Sequence, residues 1–340
     1  MQRCVNQCEE NTQALVDNYG RTISYLRLSI TDRCNFNCLY CRPYNKIENL
    51  WPRDILTYEE IYRLIRIAVG LGIKKVRITG GEPLVRKGLM DFIPQIANIP
   101  GLEDLSLTTN GALLKEKLKL IYNGGIRRLN ISMDTLRRDR FQEITGNDRF
   151  TEIWDAIGLA EEMNFSPIKI NMVVMNGIND DEITQMARLS TIKPYHIRFI
   201  EYMPIGVDRR TTKKLTIPEF QIKSRLEKLG KLIPIKQRNG NGPARRYRFE
   251  GAPGEIGFIS SMTRHFCRSC NRIRITADGQ LRPCLLSNMQ ENIKIPMRNG
   301  ATDHVLSSIF LKAVKNKPFE HFLAAGKDVD VSGQMHMIGG

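Results

Sequence analysis

Six short stretches of the chain share one pattern: aliphatic and β-branched residues alternate or run together, then give way to polar residues or glycine. They are LRLSITD (26–32), KVRITGG (75–81), LSLTTNG (105–111), RLNISMD (128–134), IKINMVV (168–174) and IRFIEYM (197–203). Runs of this length and composition predict β-strands that feed into loops. Between them the apolar spacing becomes helical. In TYEEIYRLIRIAVGLG, Thr57 and Glu60 form a capping-box signature, Ile61, Leu64, Ile65 and Ala68 make one apolar stripe, and Gly70 or Gly72 supplies a stop. Weaker stripes occupy 112–123, 151–163 and 180–190. Strands separated by helices long enough for a crossover favour parallel β-α units. Six such units predict an α/β fold, an incomplete (β/α)6 TIM-like barrel or an open parallel sheet. Polar residues gather at the strand ends, where such folds carry their active sites.

From about residue 205 the pattern changes. DRRTTKKLTIPEFQIKSRLEKLG predicts a basic linker and a helix, and ARRYRFE, GEIGFISS and RIRITADGQLRPC resemble hairpin strands, with Asp278-Gly279 as a turn signal. The predicted organisation is an N-terminal extension (1–20), a partial barrel (21–204) and a smaller C-terminal α+β region (205–340).

With 340 residues, 41% of them hydrophobic, the chain can bury one large core plus an appendage, or two domains. No apolar run approaches the roughly 18 to 20 residues that a membrane span needs. The N-terminal MQRCVNQCEENTQALVDNYG has neither the apolar segment of a signal peptide nor the scarcity of acids of a transit peptide. The expectation is a cytoplasmic protein without a membrane partner. Lys and Arg number 51 against 36 Asp and Glu, giving +15; this suits a polyanionic partner, or serves solubility alone. Eight cysteines in a reducing compartment argue for metal or redox chemistry over a disulfide framework.

The cysteines are clustered. TDRCNFNCLYCRP places Cys34, Cys38 and Cys41 at C-x3-C-x2-C spacing on the loop after the first predicted strand. Structural zinc normally takes four ligands in two separated pairs. Three thiolates suit a [4Fe-4S] cluster that leaves one iron open to a non-protein ligand. The alternatives are a zinc site completed by a distant ligand, or unligated thiols. A second set, Cys267, Cys270 and Cys284, lies in FCRSCNRIRITADGQLRPC; His265 could complete a zinc site there. Arg272 and Arg274 alternate along the strand that follows and so share a face. A basic face beside a cluster suits a phosphate-bearing substrate, and a solvated hairpin face is the plain alternative.

The first cysteine motif, with Tyr40 before its last cysteine and Gly80-Gly81-Glu82-Pro83 after the second strand, resembles the radical S-adenosylmethionine superfamily. LRLSITDRCNFNCLYC, KKVRITGGEPLVR, LTTNG, LNISMDTL, IKINMVVMNGIND, IRFIEYMPIG, the second cysteine set and the closing IGG, in that order over roughly residues 20–340, narrow the resemblance to the GTP 3',8-cyclase family of molybdenum cofactor biosynthesis. Arg42 stands where that family commonly has methionine, and Cys4 and Cys8 match nothing in it.

The resemblance implies two [4Fe-4S] clusters, on Cys34, Cys38 and Cys41 and on Cys267, Cys270 and Cys284. It implies S-adenosylmethionine contacts at Tyr40, Gly81, Glu82, Thr108, Asn110, Ser132 and Met203. GTP would be lined by Arg27, Lys75, Arg77, Lys169, Arg198, Arg272 and Arg274, with Gly339 and Gly340 reaching toward the arginines. One-electron cleavage of S-adenosylmethionine would give a radical that takes the 3' hydrogen of GTP, after which the sugar closes onto C8. Implied partners are a reductant protein, the next pathway enzyme (cyclic pyranopterin monophosphate synthase) and a second copy in a homodimer. Two rival readings are a radical enzyme that modifies a peptide or RNA, and a zinc-binding nucleic-acid module. The second leaves GGEP and the six β-α units unexplained, and no recognition helix or aromatic-interleaved basic patch supports it, so no nucleic-acid partner is expected.

Overall fold

A computed structural model describes residues 14–41, 49–206, 213–236, 242–321, 331 and 333–339. The six expected strands are present as β1 (Tyr25–Ser29), β2 (Lys75–Thr79), β3 (Asp104–Thr109), β4 (Arg128–Ser132), β5 (Ile168–Val174) and β6 (His196–Glu201). Neighbours in this series pair in parallel, in sequence order. Period-two alternation decides which way each side chain points. Leu26, Val76, Ile78, Leu107, Leu129, Ile131, Ile170 and Ile197 are wholly buried against the helices. Each contributes about 1.5–3 kcal/mol relative to an exposed side chain.

The helical layer comprises α1 (Tyr58–Gly70), α2 (Leu89–Ala97), α3 (Leu114–Asn123), α4 (Arg138–Thr145), α5 (Phe150–Glu162) and α6 (Ile183–Ile192). The capping box forms: Glu60 N donates to Thr57 Oγ1 (3.2 Å) and Thr57 N donates to Glu60 Oε2 (2.7 Å). Two helices lie outside the predicted stripes. In α2, Pro94 sits inside the helix and masks it as a breaker, while Phe92, Ile93 and Ile96 are buried. In α4 the short, charged RDRFQEIT buries only Phe141, Ile144 and Thr145. The stripe expected from 180 begins with a 3-10 turn, Asp180–Glu182, before α6.

The C-terminal elements are α7 (Glu219–Glu227), β7 (Leu232–Pro234), β8 (Arg245–Phe249), β9 (Glu255–Ile259), β10 (Arg272–Ile275), β11 (Gln280–Arg282), β12 (Glu291–Asn292), α8 (Lys294–Arg298), α9 (Asp303–Lys315) and α10 (Met335–Ile338). Both predicted hairpins form, β8 with β9 and β10 with β11. They extend the same sheet at both ends. β10 joins β1 and β9 joins β6, each in parallel, so the order is β12-β11-β10-β1-β2-β3-β4-β5-β6-β9-β8-β7. Eight adjacent strands therefore run parallel and present one continuous inner face. No helix among the described residues is long and apolar enough to cross a membrane.

Candidate active site

The inner face is polar. By register, Arg274, Arg27, Arg77 and Ser106 stand abreast on β10, β1, β2 and β3, with Arg282 of β11 opposite Arg274. Two residues earlier, Arg272, Tyr25, Lys75 and Asp104 form a second row. Lys169 and His196 are register partners on β5 and β6, and Arg198 follows His196 by two residues on the same face. Like charges placed abreast repel unless an anion lies among them.

Two cavities open off this face. The larger runs from Tyr40, Thr108, Ser132 and Met203 near the strand C-terminal ends to Cys267, Cys270 and Cys284. The smaller lies at the strand N-terminal ends among Lys75, Arg128, Lys169, His196 and Arg246. Arg77, Arg198 and Pro243 line both. Among the described residues, Asp104 is the one acidic residue lining the smaller cavity, and it is paired with Arg128.

Lys169 is 8% exposed and has no hydrogen-bond or ion-pair partner among the described residues. Burial, then the charges of Arg198, Arg77, Arg128 and Arg246, push its pKa down to about 5. Arg198 is equally buried and likewise lacks an acceptor among the described residues; burial and then Arg77 lower it to about 9. Arg27 is lowered well below its ordinary value by burial, then by Arg274 and Arg77. The buried Tyr25 hydroxyl and Thr108 Oγ1 find no hydrogen-bond partner among the described residues. Buried cations and orphaned donors at this density define a site for a polyanion.

The first cysteine loop sits at the C-terminal end of β1. The Gly81 and Glu82 amides donate to Thr31 O (2.7 Å) and Arg33 O (2.8 Å), and a Cβ on Gly81 would stand 2.3 Å from Arg33 O. The missing side chain thus admits the protein's own cysteine loop. Glu82 is fully buried, and its carboxylate accepts from Leu84 N, Thr109 Oγ1 and Asn110 N. Burial outweighs these donors and pushes it up to about 7. Asn110 reaches Asn35 Oδ1 and Cys34 Sγ, and Phe36 N also points at Cys34 Sγ, 3.4 Å away. Tyr40 donates its hydroxyl to Asp134 Oδ2 at 2.8 Å, while Val173 N holds Asp134 Oδ1. Of the expected cofactor contacts, Tyr40, Thr108, Ser132 and Met203 line the large cavity, whereas Gly81, Glu82 and Asn110 brace the cysteine loop beside it.

Gly81→Ala is expected to displace that loop, at about 1–3 kcal/mol. Iron bound through the first cysteine set should fall; undiminished iron there would refute this account of the glycine.

The second cysteine set is assembled by the β10–β11 hairpin. Cys270 precedes β10 and Cys284 follows β11, so antiparallel pairing returns both to one end. The His321 backbone favours the charged form of Cys267, and Arg272 that of Cys270. Burial raises Cys267, but at Cys270 the charges of Lys317 and Arg272 overcome burial and bring the thiol to about 6. None of the six described cysteines is in a disulfide. At the first set, the N–H donors aimed at Cys34 Sγ match iron-sulfur ligation in kind. No three His, Cys, Asp or Glu among the described residues are grouped closely enough to hold a single metal ion. His265 lies 3.7 Å from Glu320 and against His321.

Arg274 Nη1 donates to Gly339 O at 2.7 Å, and Gly339 packs between Ser29 and Thr79 at the barrel rim. Gly340, Arg42, Cys4 and Cys8 lie outside the described residues. Sequence reasoning missed Arg128, His196, Arg246, Asp134 and Asn171 as cavity residues. Alternation could have found Arg128, two residues before Asn130, and Asn171, two after Lys169.

The radical SAM superfamily model matches residues 28–190, and the Molybdenum Cofactor Synthesis C model residues 195–323. Among curated relatives, the GTP 3',8-cyclase of Pelotomaculum thermopropionicum is 43% identical over 95% of this chain and 99% of its own. That of Thermodesulfovibrio yellowstonii is 47% identical over 89% and 94%. Among solved structures, Streptococcus suis SuiB bound to its precursor peptide SuiA aligns with a TM-score of 0.63 at 14% identity, over 91% of this chain and 67% of that one. The anSMEcpe structure with bound AdoMet aligns at 0.58 and 16% identity, over 86% and 78%. At such identity these structures speak for the fold alone. The curated relatives match over nearly their whole length, and the chain belongs to the GTP 3',8-cyclase family of the radical S-adenosylmethionine superfamily.

Proposed function

We propose that the two cavities form one site, in which GTP is cyclised between ribose C3' and purine C8 in an early step of molybdenum cofactor biosynthesis. The observation that carries this reading is the shared wall of Arg77 and Arg198, which joins a thiol-bearing cavity to a lysine-bearing one. A triphosphate carries about four negative charges, each costly to bury without a donor. Lys75, Lys169, Arg77 and Arg198 supply those donors at the strand N-terminal ends, and Arg27, Arg272 and Arg274 continue the cationic wall toward Cys270 and Cys284. The base then lies toward the second cysteine set, and the ribose between the two cavities. When bound, the first cluster and S-adenosylmethionine supply the hydrogen-abstracting radical.

Cys34, Cys38 and Cys41 would hold that first cluster. Tyr40, Thr108, Ser132 and Met203 orient the cofactor on the cavity wall; Gly81, Glu82 and Asn110 fix the loop that carries the thiols. Cys267, Cys270 and Cys284 would hold a second [4Fe-4S] cluster, which with three protein thiolates would leave a site for the guanine base. The Gly339-Gly340 tail helps activity without being needed for folding: its Arg274 contact places a carbonyl beside the cation row. A chain ending at Ile338 should keep iron at both sets and lose cyclisation, whereas full turnover by that chain would remove the tail from the account. A one-electron donor protein, an enzyme that consumes the cyclised nucleotide, a homodimer and a cytoplasmic setting complete the reading.

Anaerobic turnover of iron-loaded protein with dithionite, S-adenosylmethionine and GTP tests it. Both 5'-deoxyadenosine and a cyclised nucleotide are expected by mass analysis. Deoxyadenosine with unmodified GTP would move the substrate elsewhere.

A further inference from the structure

Lys317, just beyond α9, is 4% exposed. Its ammonium donates to Arg272 O at 2.8 Å and to Pro283 O. Those carbonyls flank the second cysteine set: Arg272 follows Cys270 by two residues and Pro283 immediately precedes Cys284. One buried cation thus ties together the two chain segments that deliver those thiols. No carboxylate lies within ion-pair distance of Lys317 among the described residues, so its charge is not offset there by an acidic side chain. A buried, unoffset ammonium is costly unless an anion stands close. The chain segments it grips carry Cys270 and Cys284, so thiolates held there would stand close to its charge. Other cations at this end include Arg272, Arg274 and Arg282 of the β10–β11 hairpin, and Arg21. Arg21 donates to Cys267 O, Pro318 O and Phe319 O, but it is already neutralised by Asp17.

We propose that Lys317 is a positioning residue for the second cysteine set: it joins the Cys270 and Cys284 segments through their flanking carbonyls and supplies the positive charge that the ligated thiolates offset. This rests on the reading of that set as a cluster site. Charge near an iron-sulfur cluster sets its reduction potential, and loss of a nearby cation disfavours the reduced form.

The test uses the full chain with Cys34, Cys38 and Cys41 replaced by serine, so that all bound iron and every cluster signal belong to the second set. Lys317→Met and Lys317→Arg are compared in that background by iron and sulfide content and by a redox titration followed by electron paramagnetic resonance. Lys317→Met is expected to load less iron, or to load it with a midpoint at least 59 mV more negative, a tenfold fall in the reduced-to-oxidised ratio for a one-electron couple. Lys317→Arg, which keeps the charge and the donors, should restore both. A Lys317→Met protein with unchanged iron, potential and spectrum would overturn the proposal. If the parent background itself took up no iron, the cluster reading would fall, and this proposal with it, before any Lys317 variant was compared. Should Lys317→Met not fold, Lys317→Gln with unaltered potential and spectrum would overturn it equally.

Discussion

Lys169→Met is expected to stabilise the ligand-free protein while weakening GTP binding by about a hundredfold, the loss of one buried charged contact of about 3 kcal/mol. Lys169 has no acceptor among the described residues and lies amid Arg198, Arg77, Arg128 and Arg246. With burial as the leading cause, its pKa falls from 10.5 to about 5, so the empty site holds a neutral amine at neutral pH. The sign of the stability effect follows from proton binding. Between about 5 and 10.5 the unfolded chain carries a proton here that the folded chain lacks, so the stability of the empty protein rises with pH across that window through this group. Methionine removes the cost and the pH dependence together. Bound triphosphate reverses the balance and restores the ammonium. Calorimetry at pH 7.5 in buffers of different ionisation enthalpy should therefore show about one proton taken up per GTP in the parent and none in Lys169→Met, since a neutral amine gains a charge only when an anion stabilises it. Equal proton uptake in both would show that Lys169 does not meet the phosphates.

The two cysteine sets should separate two stages of turnover. Cys38→Ser is expected to abolish both 5'-deoxyadenosine and cyclised nucleotide. Cys270→Ser should keep radical generation and lose cyclisation, each loss being on the order of a thousandfold or more, or about 4 kcal/mol in barrier. The basis is placement: Cys38 lies on the loop beside Tyr40, Thr108 and Ser132, whereas Cys270 lines the arginine end of the cavity. A Cys270→Ser protein that still cyclised GTP would remove the second set from substrate handling.

Much of this site was legible in the chain because period-two alternation sorts a parallel strand into a helix-facing row and a lumen-facing row. In KVRIT, Lys75 and Arg77 had to share a face opposite Val76 and Ile78, and register then sets Arg27 beside Arg77 and Arg274. The helices with clean stripes were equally readable; α2 was not, because its proline mimics a stop. What the chain concealed depends on contacts distant in sequence. Lys317 meets Arg272 across 45 residues and Arg21 meets Cys267 across 246, and neither cation belongs to a recognisable motif. The attachment of both hairpins to opposite edges of one sheet is a tertiary choice that strand composition does not encode. Gly81 was expected as a cofactor contact; that the backbone of the cysteine loop packs against it is a tertiary contact GGEP does not encode.

The central claim is that the ribose of GTP lies between the two cavities, with its C3' hydrogen facing the cofactor bound beside Tyr40 and Ser132. Turnover of GTP deuterated at C3' tests this most directly. The account predicts deuterium in the 5'-methyl of deoxyadenosine and its absence from the cyclised nucleotide. Deoxyadenosine free of deuterium, formed alongside product that retains it, would contradict the account.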